Sequence, residues 1–291
     1  MPMIGFGTYM IANEDCEEKV LWALEAGYRH IDTGEFYANH KAIGKAIGKS
    51  GIPRTEIFIT DKVSPDGAFG VPPRTYEGIM DGINANLATL GDGFTNIDLM
   101  LLHHPFPPGE DRVKQYRALV DAQKKGLVKE IGVSNYSQKH IEELLAAGLP
   151  PPVVNQVELH PLNTLEKSGL LEYMKSIGCV AVAYSSMAPS SNWRSQQPGS
   201  STKEIEKHSG HMEVLKGLAS KYSVSEGALL LRWALEHGYP ILPKSCNKDR
   251  IAQNLSEPQA FEITPGDVKA LDALDQQTVF AWPVGDPMQA P

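Results

Sequence analysis

Short apolar runs recur along the 291-residue chain, and the stretches between them have a helical period. Eight runs read as strands: "IGFGTY" from Ile4, "RHID" from Arg29, "IFITD" from Ile57, "IDLMLL" from Ile97, "VKEIGV" from Val128, "VVNQV" from Val153, "CVAVAY" from Cys179 and "YPIL" from Tyr239. Most are continuous rather than alternating, as strands covered on both faces are. The helical stretches stop at glycine: "CEEKVLWALEAG" at Gly27, "YRALVDAQKKG" at Gly126, "QKHIEELLAAG" at Gly148 and "LEYMKSIG" at Gly178. Glycine suits a helix exit because it adopts the left-handed conformation at little cost. Ser137 and Ser225 are predicted N-caps, and Ala228, three positions past Ser225, gives that cap no capping box.

Strict alternation of strand and helix implies parallel strands joined by right-handed crossovers, and eight such units close a (β/α)8 barrel. The expected fold is therefore α/β, a TIM barrel in one domain over residues 1–291. No "GxGxxG" follows any run, which disfavours an open doubly wound sheet. Long loops are expected after the third strand ("SPDGAFGVPPRTY") and after the seventh (Ser185 to Gly210), with the tail after Leu274 lying over the mouth.

Composition narrows the function. Lys and Arg number 27 against 35 Asp and Glu, a formal charge of -8, which argues against nucleic acid or an anionic membrane surface as partner. A small molecule is the expected ligand. Cys16, Cys179 and Cys246 have spacings that fit neither a zinc site nor a disulfide framework, so free thiols in a reducing cytoplasm are expected. The opening residues have no basic leader, and no apolar run is long enough to span a membrane.

In a TIM barrel, chemistry gathers at the carboxyl ends of the strands. Asp32 closes the second run, Lys62 follows the third, His103 follows the fourth, and Tyr37 sits five residues past Asp32. Each alone has an ordinary reading as a cap, a rim lysine, a loop histidine or packing. Together they would bring an acid, an amine, an imidazole and a phenol to one mouth.

Six ordered stretches carry a resemblance: "GYRHIDTGEFYAN", "IFITDKV", "IDLMLLHHP", "GLVKEIGVSN", "VVNQVELHP" and "ILPKSCNKDRIAQN". Over nearly its whole length the chain resembles the aldo-keto reductases, NAD(P)H-dependent (β/α)8 enzymes. The resemblance places Asp32, Tyr37, Lys62 and His103 on the family's catalytic tetrad, with Tyr37 giving the proton that a reduced carbonyl oxygen needs. A cation about 4 Å away at an effective dielectric of about 20 is worth roughly 4 kcal/mol, or about three pKa units, so Lys62 is expected to bring the Tyr37 phenol down from about 10. Asp32 should offset part of that. His103 would orient the substrate oxygen.

The resemblance also assigns the cofactor contacts. Tyr184 would stack on the nicotinamide, Ser134, Asn135 and Gln156 would hold its carboxamide, and Thr8 and Ser185 would lie beside them. Lys244, Ser245, Asn247 and Arg250 would surround the N-terminus of the last barrel helix, where two cations suit a 2'-phosphate and so NADPH, with Gln253 and Asn254 at the adenine. Tyr9, Phe36, Ser64, His104 and Trp282 would line the substrate pocket. Tyr9, Ser64 and His104 stand where many members place tryptophan, so a wider, more polar pocket and a polar or bulky substrate are expected, unless the loop from Ser64 refills the space. If strand alternation holds, Asp61 should point away from the barrel axis; turned inward, it would compete with Asp32 for Lys62 and raise the phenol pKa. The chain begins almost at its first strand, so a barrel bottom without the N-terminal hairpin that plugs many family barrels is expected, as is a monomer.

Two other readings compete with a carbonyl reductase. His103, His104, His160 and Asp32 could ligate a metal for hydrolysis. A nucleotide-binding regulatory barrel with little turnover would keep the same fold.

Overall fold

The computed structural model describes residues 1–68, 70–190, 209–282 and 285–291. Seven parallel strands form one sheet in sequence order: β1 (Phe6–Gly7), β2 (His30–Asp32), β3 (Phe58–Val63), β4 (Ile97–Leu102), β5 (Val128–Ser134), β6 (Val154–Glu158) and β7 (Val180–Tyr184). Registers such as Asp32 beside Thr60, Lys62 beside Leu101 and Ser134 beside Gln156 bring the ends of neighbouring strands level.

The eighth run is not a strand. Ile241 instead makes isolated parallel bridges to Ile4 on one side and Ala183 on the other, and these close the barrel. The cause lies in "YPILP", where Pro240 and Pro243 have no N–H to give a ladder. Their carbonyls still accept, Pro240 from Ala183 N at 2.7 Å and Pro243 from Gly7 N at 3.0 Å, while Ile241 N donates to Met3 O at 2.8 Å.

Helices α1 (Asn13–Ala26), α2 (His40–Ser50), α3 (Tyr76–Leu90), α4 (Gly109–Lys124), α5 (Gln138–Ala146) and α6 (Leu170–Ser176) each follow a strand. Then come α7 (Ser209–Tyr222), α8 (Glu226–Glu236), α9 (Lys248–Ser256) and α10 (Pro265–Asp272). Gly27 ends α1 at φ 110°, as expected of a glycine exit. Ser137 caps α5 with a full capping box, in which His140 Nδ1 takes the place of the usual carboxylate. Ser225 caps α8 by accepting from Ala228 N.

Apolar side chains pack on both faces of the sheet. Leu99 and Leu101 of β4, Val154 of β6, Val182 of β7 and Leu242 of the eighth run meet inside the barrel, and the larger cluster lies between sheet and helices. Gly132 leaves room for this: a Cβ there would stand 2.7 Å from Leu101 and 2.5 Å from the Val154 carbonyl. Filling the lower barrel with side chains makes it a packed core and leaves its upper rim for chemistry.

The loop after β3 folds back on itself, with Gly67 N donating to Val71 O and Arg74 N to Pro65 O. Most of the predicted loop after β7, residues 191–208, lies outside the described residues. The tail crosses the mouth: Glu158 accepts from Phe280 N and Ala281 N, each at 2.8 Å, and Arg112 donates to Pro291 O at 2.7 Å. Among the described residues, no helix is long and apolar enough to cross a membrane.

Candidate active site

Strand parity decides which side chains enter the barrel. Lys62 shares a face with Thr60 and turns inward, and is only 1 % exposed. Its ammonium lies 2.5 Å from Asp32 Oδ1 and donates to the Thr33 carbonyl at 2.8 Å. The other Asp32 oxygen accepts from Gln156 Nε2 at 2.8 Å. Both carboxylate oxygens are thus in use, as a buried charge requires.

Asp61 has the opposite parity and faces the helix layer, as expected. Its oxygens meet His40 Nε2 of α2 and Asn86 Nδ2 of α3, each at 2.9 Å. The carboxylate raises the His40 pKa even though burial, the largest single influence, opposes it. Asp61 does not compete with Asp32 for Lys62.

Tyr37 ends a 3-10 turn, Glu35–Tyr37, that starts three residues past the end of β2. Gly34 fits between them: a Cβ there would stand 3.4 Å from both the Tyr37 ring and Lys62 Cβ. The Lys62 ammonium is 5.0 Å from the centre of the phenol ring, and the His103 ring centre is 5.6 Å from it, edge to face. The tetrad residues predicted from sequence therefore converge.

Their electrostatics correct one expectation. The Tyr37 phenol is not brought down towards neutrality; burial, then the Asp32 carboxylate, push it well above its ordinary value. The Asp32 carboxylate touches the Lys62 ammonium, so the phenol meets a nearly neutral pair rather than a free cation. Burial, with the charges of Lys62 and His104 adding to it, holds the His103 pKa well below the usual imidazole value. At neutral pH the site therefore holds a protonated phenol and a neutral imidazole.

The predicted cofactor residues form a connected shelf beside this group. Thr8 Oγ1 donates to Asp32 O, and Ser134 Oγ donates to Gln156 O. Asn135, at φ 64°, donates to Ser134 Oγ and to the His103 carbonyl. The Tyr184 hydroxyl donates to Asn135 Oδ1 at 2.6 Å, and Ser185 follows at φ 55°. Lys244 and Arg250 are exposed at the start of α9, and neither has an ion-pair partner among the described residues. Ser245 and Asn247 have local tasks: Ser245 Oγ accepts from Asn247 N, and Asn247 caps α9 by accepting from Arg250 N. Gln253 is exposed and Asn254 half-buried on the same helix.

Tyr9 and Phe36 are 44 % and 75 % exposed at the rim. Ser64 and His104 are buried. The Ser64 hydroxyl donates to Asp66, and the His104 ring packs 4.7 Å from Phe106. Trp282 of the tail packs against Phe106 and donates its indole N–H to the Tyr184 hydroxyl at 2.8 Å. The surfaces offered are largely aromatic.

Sequence reasoning missed several contributors. Asn39 is fully buried and ties the Tyr37 turn to β1, donating to the Thr8 and Ile11 carbonyls and accepting from Thr33 Oγ1. Glu35, Arg74 and Phe106 were also not singled out. Only the Asn39 position in "FYANH" gave a signal, as a polar residue trapped between two elements.

A closed parallel barrel with a buried Lys–Asp pair, a phenol and an imidazole at its carboxyl-end mouth defines a class of barrel oxidoreductase, and comparison with known proteins agrees. Residues 3–276 match the model of the aldo/keto reductase family. An aldo-keto reductase of Mycolicibacterium vanbaalenii is 33 % identical over 280 residues, 96 % of this chain and 90 % of that protein. A methylglyoxal reductase of Escherichia coli is 30 % identical over 287 residues, covering 98 % and 97 %. The solved structure of a Bombyx mori aldo-keto reductase in complex with NADP superposes with a TM-score of 0.82 at 29 % identity, over 100 % of this chain and 94 % of that one. The chain belongs to the aldo/keto reductase family, whose members are oxidoreductases.

Proposed function

We propose that the protein reduces aldehydes or ketones to alcohols with NADPH, with Tyr37 as the proton donor. The observation that carries this reading is the protonated, half-buried phenol with the Lys62 ammonium 5.0 Å and the neutral His103 ring 5.6 Å from its ring. A carbonyl taking up hydride builds negative charge on oxygen, and a phenol within reach can hydrogen-bond that oxygen and release its proton to it. His103, neutral, is suited to donate a hydrogen bond and orient the oxygen. Asp32 holds Lys62, whose role is to stabilise the phenolate as the proton leaves.

The residues present fit a nicotinamide dinucleotide phosphate. The Tyr184 ring and the Ser134, Asn135 and Gln156 shelf would take the nicotinamide end, and Lys244 and Arg250 near the N-terminus of α9, two cations with no ion-pair partner among the described residues, suit a phosphate monoester. Bound there, the cofactor supplies the hydride. The aromatic rim of Tyr9, Phe36, Phe106 and Trp282 favours a substrate with a bulky apolar body over a polyhydroxylated one.

The metal reading finds less support: Asp32 is engaged by Lys62 and Gln156, and His160 Nε2 lies 3.0 Å from Glu158. Among the described residues, no three His, Cys, Asp or Glu side chains are grouped to hold a metal. The test is oxidation of NADPH with a panel of aromatic, aliphatic and polyhydroxylated aldehydes. Turnover led by the aromatic aldehydes is expected. Binding of NADPH without oxidation by any of them would favour the regulatory barrel instead.

A further inference from the structure

The loop after β3 has no part in the chemistry above, yet it contains a polar network aimed at the Tyr37 turn. Arg74, at its end, donates from Nη2 to Glu35 Oε1 at 2.9 Å and from Nη1 to Glu35 Oε2 at 3.0 Å. Its Nε donates to Asp66 Oδ2 at 3.1 Å. Glu35 Oε2 also accepts from Ser64 N at 2.9 Å, and Ser64 Oγ donates to Asp66 Oδ1 at 3.1 Å. Glu35 opens the 3-10 turn that ends in Tyr37, and Ser64 is two residues beyond Lys62. One guanidinium therefore ties the backbone segment carrying the phenol to the segment carrying its ammonium.

The guanidinium is itself held. The fully buried Gln115 of α4 donates to the carbonyls of Pro65 and Arg74, fixing both ends of the loop. Gly82 of α3 makes space for the charged end: a Cβ there would stand 2.7 Å from Arg74 Nη1 and 2.8 Å from Val63 Cγ2. A planar fork meeting a carboxylate in two parallel bonds fixes orientation as well as distance, which a lysine cannot do.

We propose that Arg74 is a positioning residue for the reaction, acting through Glu35 to set the Tyr37 phenol against Lys62. The proposal rests on the reading of Tyr37 as proton donor. Arg74 touches neither Tyr37 nor Lys62 in the network above, so its effect must pass through the Glu35 turn and the Ser64 backbone. A misplacement of about 1 Å at a reacting group can cost on the order of 100-fold, and loss of one tether should cost part of that.

The experiment is a double-mutant cycle of Arg74→Met with Tyr37→Phe, read as kcat and KM for an aromatic aldehyde and as NADPH affinity. Arg74→Met alone is expected to lower kcat about 5- to 50-fold, with NADPH affinity and carbonyl KM changed less than about threefold. Arg74→Lys should rescue only part of the loss. Added to Tyr37→Phe, Arg74→Met should cost little more, because the group it positions is already gone. An equal loss in both backgrounds, or wild-type kcat in Arg74→Met, overturns the proposal. If Tyr37→Phe is fully active, the reading of the site fails instead. Gly82→Ala displaces the guanidinium without removing it, so a fall in kcat with NADPH binding intact is expected even if Arg74→Met does not fold. Unchanged kcat in Gly82→Ala and Arg74→Lys together also overturns the proposal.

Discussion

Replacing Tyr37 by Phe removes one oxygen from a position where the rest of the side chain is retained. Among the described residues, no protein group hydrogen-bonds that hydroxyl, so the substitution strands no partner. The ring keeps its neighbours: Tyr9 at 5.1 Å, His103 at 5.6 Å and the Lys62 ammonium at 5.0 Å. The change in folding stability should therefore stay under about 1 kcal/mol, and NADPH affinity should hold. Loss of a general acid costs about 10²–10⁴ in rate, or roughly 3–5 kcal/mol of barrier at about 1.4 kcal/mol per decade. The assay follows the absorbance of the reduced nicotinamide with an aromatic aldehyde, alongside urea unfolding and cofactor titration. A companion titration tests the electrostatics: with its pKa raised, Tyr37 should add no tyrosinate absorbance below about pH 10 when wild type and variant are compared. A variant within about threefold of wild type in kcat would refute the argument, and a phenol titrating near neutrality would refute the burial account.

Asp32→Asn should destabilise by about 3–5 kcal/mol in urea unfolding, because it leaves the buried Lys62 ammonium with a carbonyl and no counter-charge; a loss under about 1 kcal/mol would show the pair to be better solvated than its burial implies. Lys244→Met and Arg250→Met should each raise KM for NADPH about tenfold, about 1.4 kcal/mol, and leave KM for NADH nearly unchanged; equal rises for both cofactors would remove the 2'-phosphate assignment. The His40 pKa is raised in the fold, so its contribution is fully present below the ordinary imidazole value of about 6.5 and is lost as pH rises through the folded value. The stability gap between wild type and His40→Gln should then be widest near about pH 6 and narrow towards about pH 9. A gap that stays constant with pH would mean the Asp61 contact acts without the imidazole charge.

Much of the barrel could be read from local pattern. Continuous apolar runs and glycine stops marked β2 to β7 and the ends of α1 and α5, since strand burial and helix exit are set by residues near in sequence. The eighth run failed as a strand for a reason equally local, the two prolines that cannot donate. Asp32, Lys62 and His103 could be brought to one mouth because strand ends in a barrel converge whatever the side chains are, and the resemblance added Tyr37 and the catalytic roles.

Pairings over long separations were not legible. Arg74 finds Glu35 across 39 positions, Glu158 holds the tail 122 and 123 positions away, and Arg112 reaches Pro291 across 179. The sequence alone determined the alternation of elements, the order of the barrel and which residue types stand at its mouth, because these follow from short-range periodicity. Only the tertiary structure decided the charge state those residues meet: Asp32 lies against Lys62, so the phenol is governed by burial rather than by a free cation, and the buried His104 ring packs on Phe106. Electrostatic and packing energies depend on distances through space, and the chain fixes those distances only when it closes.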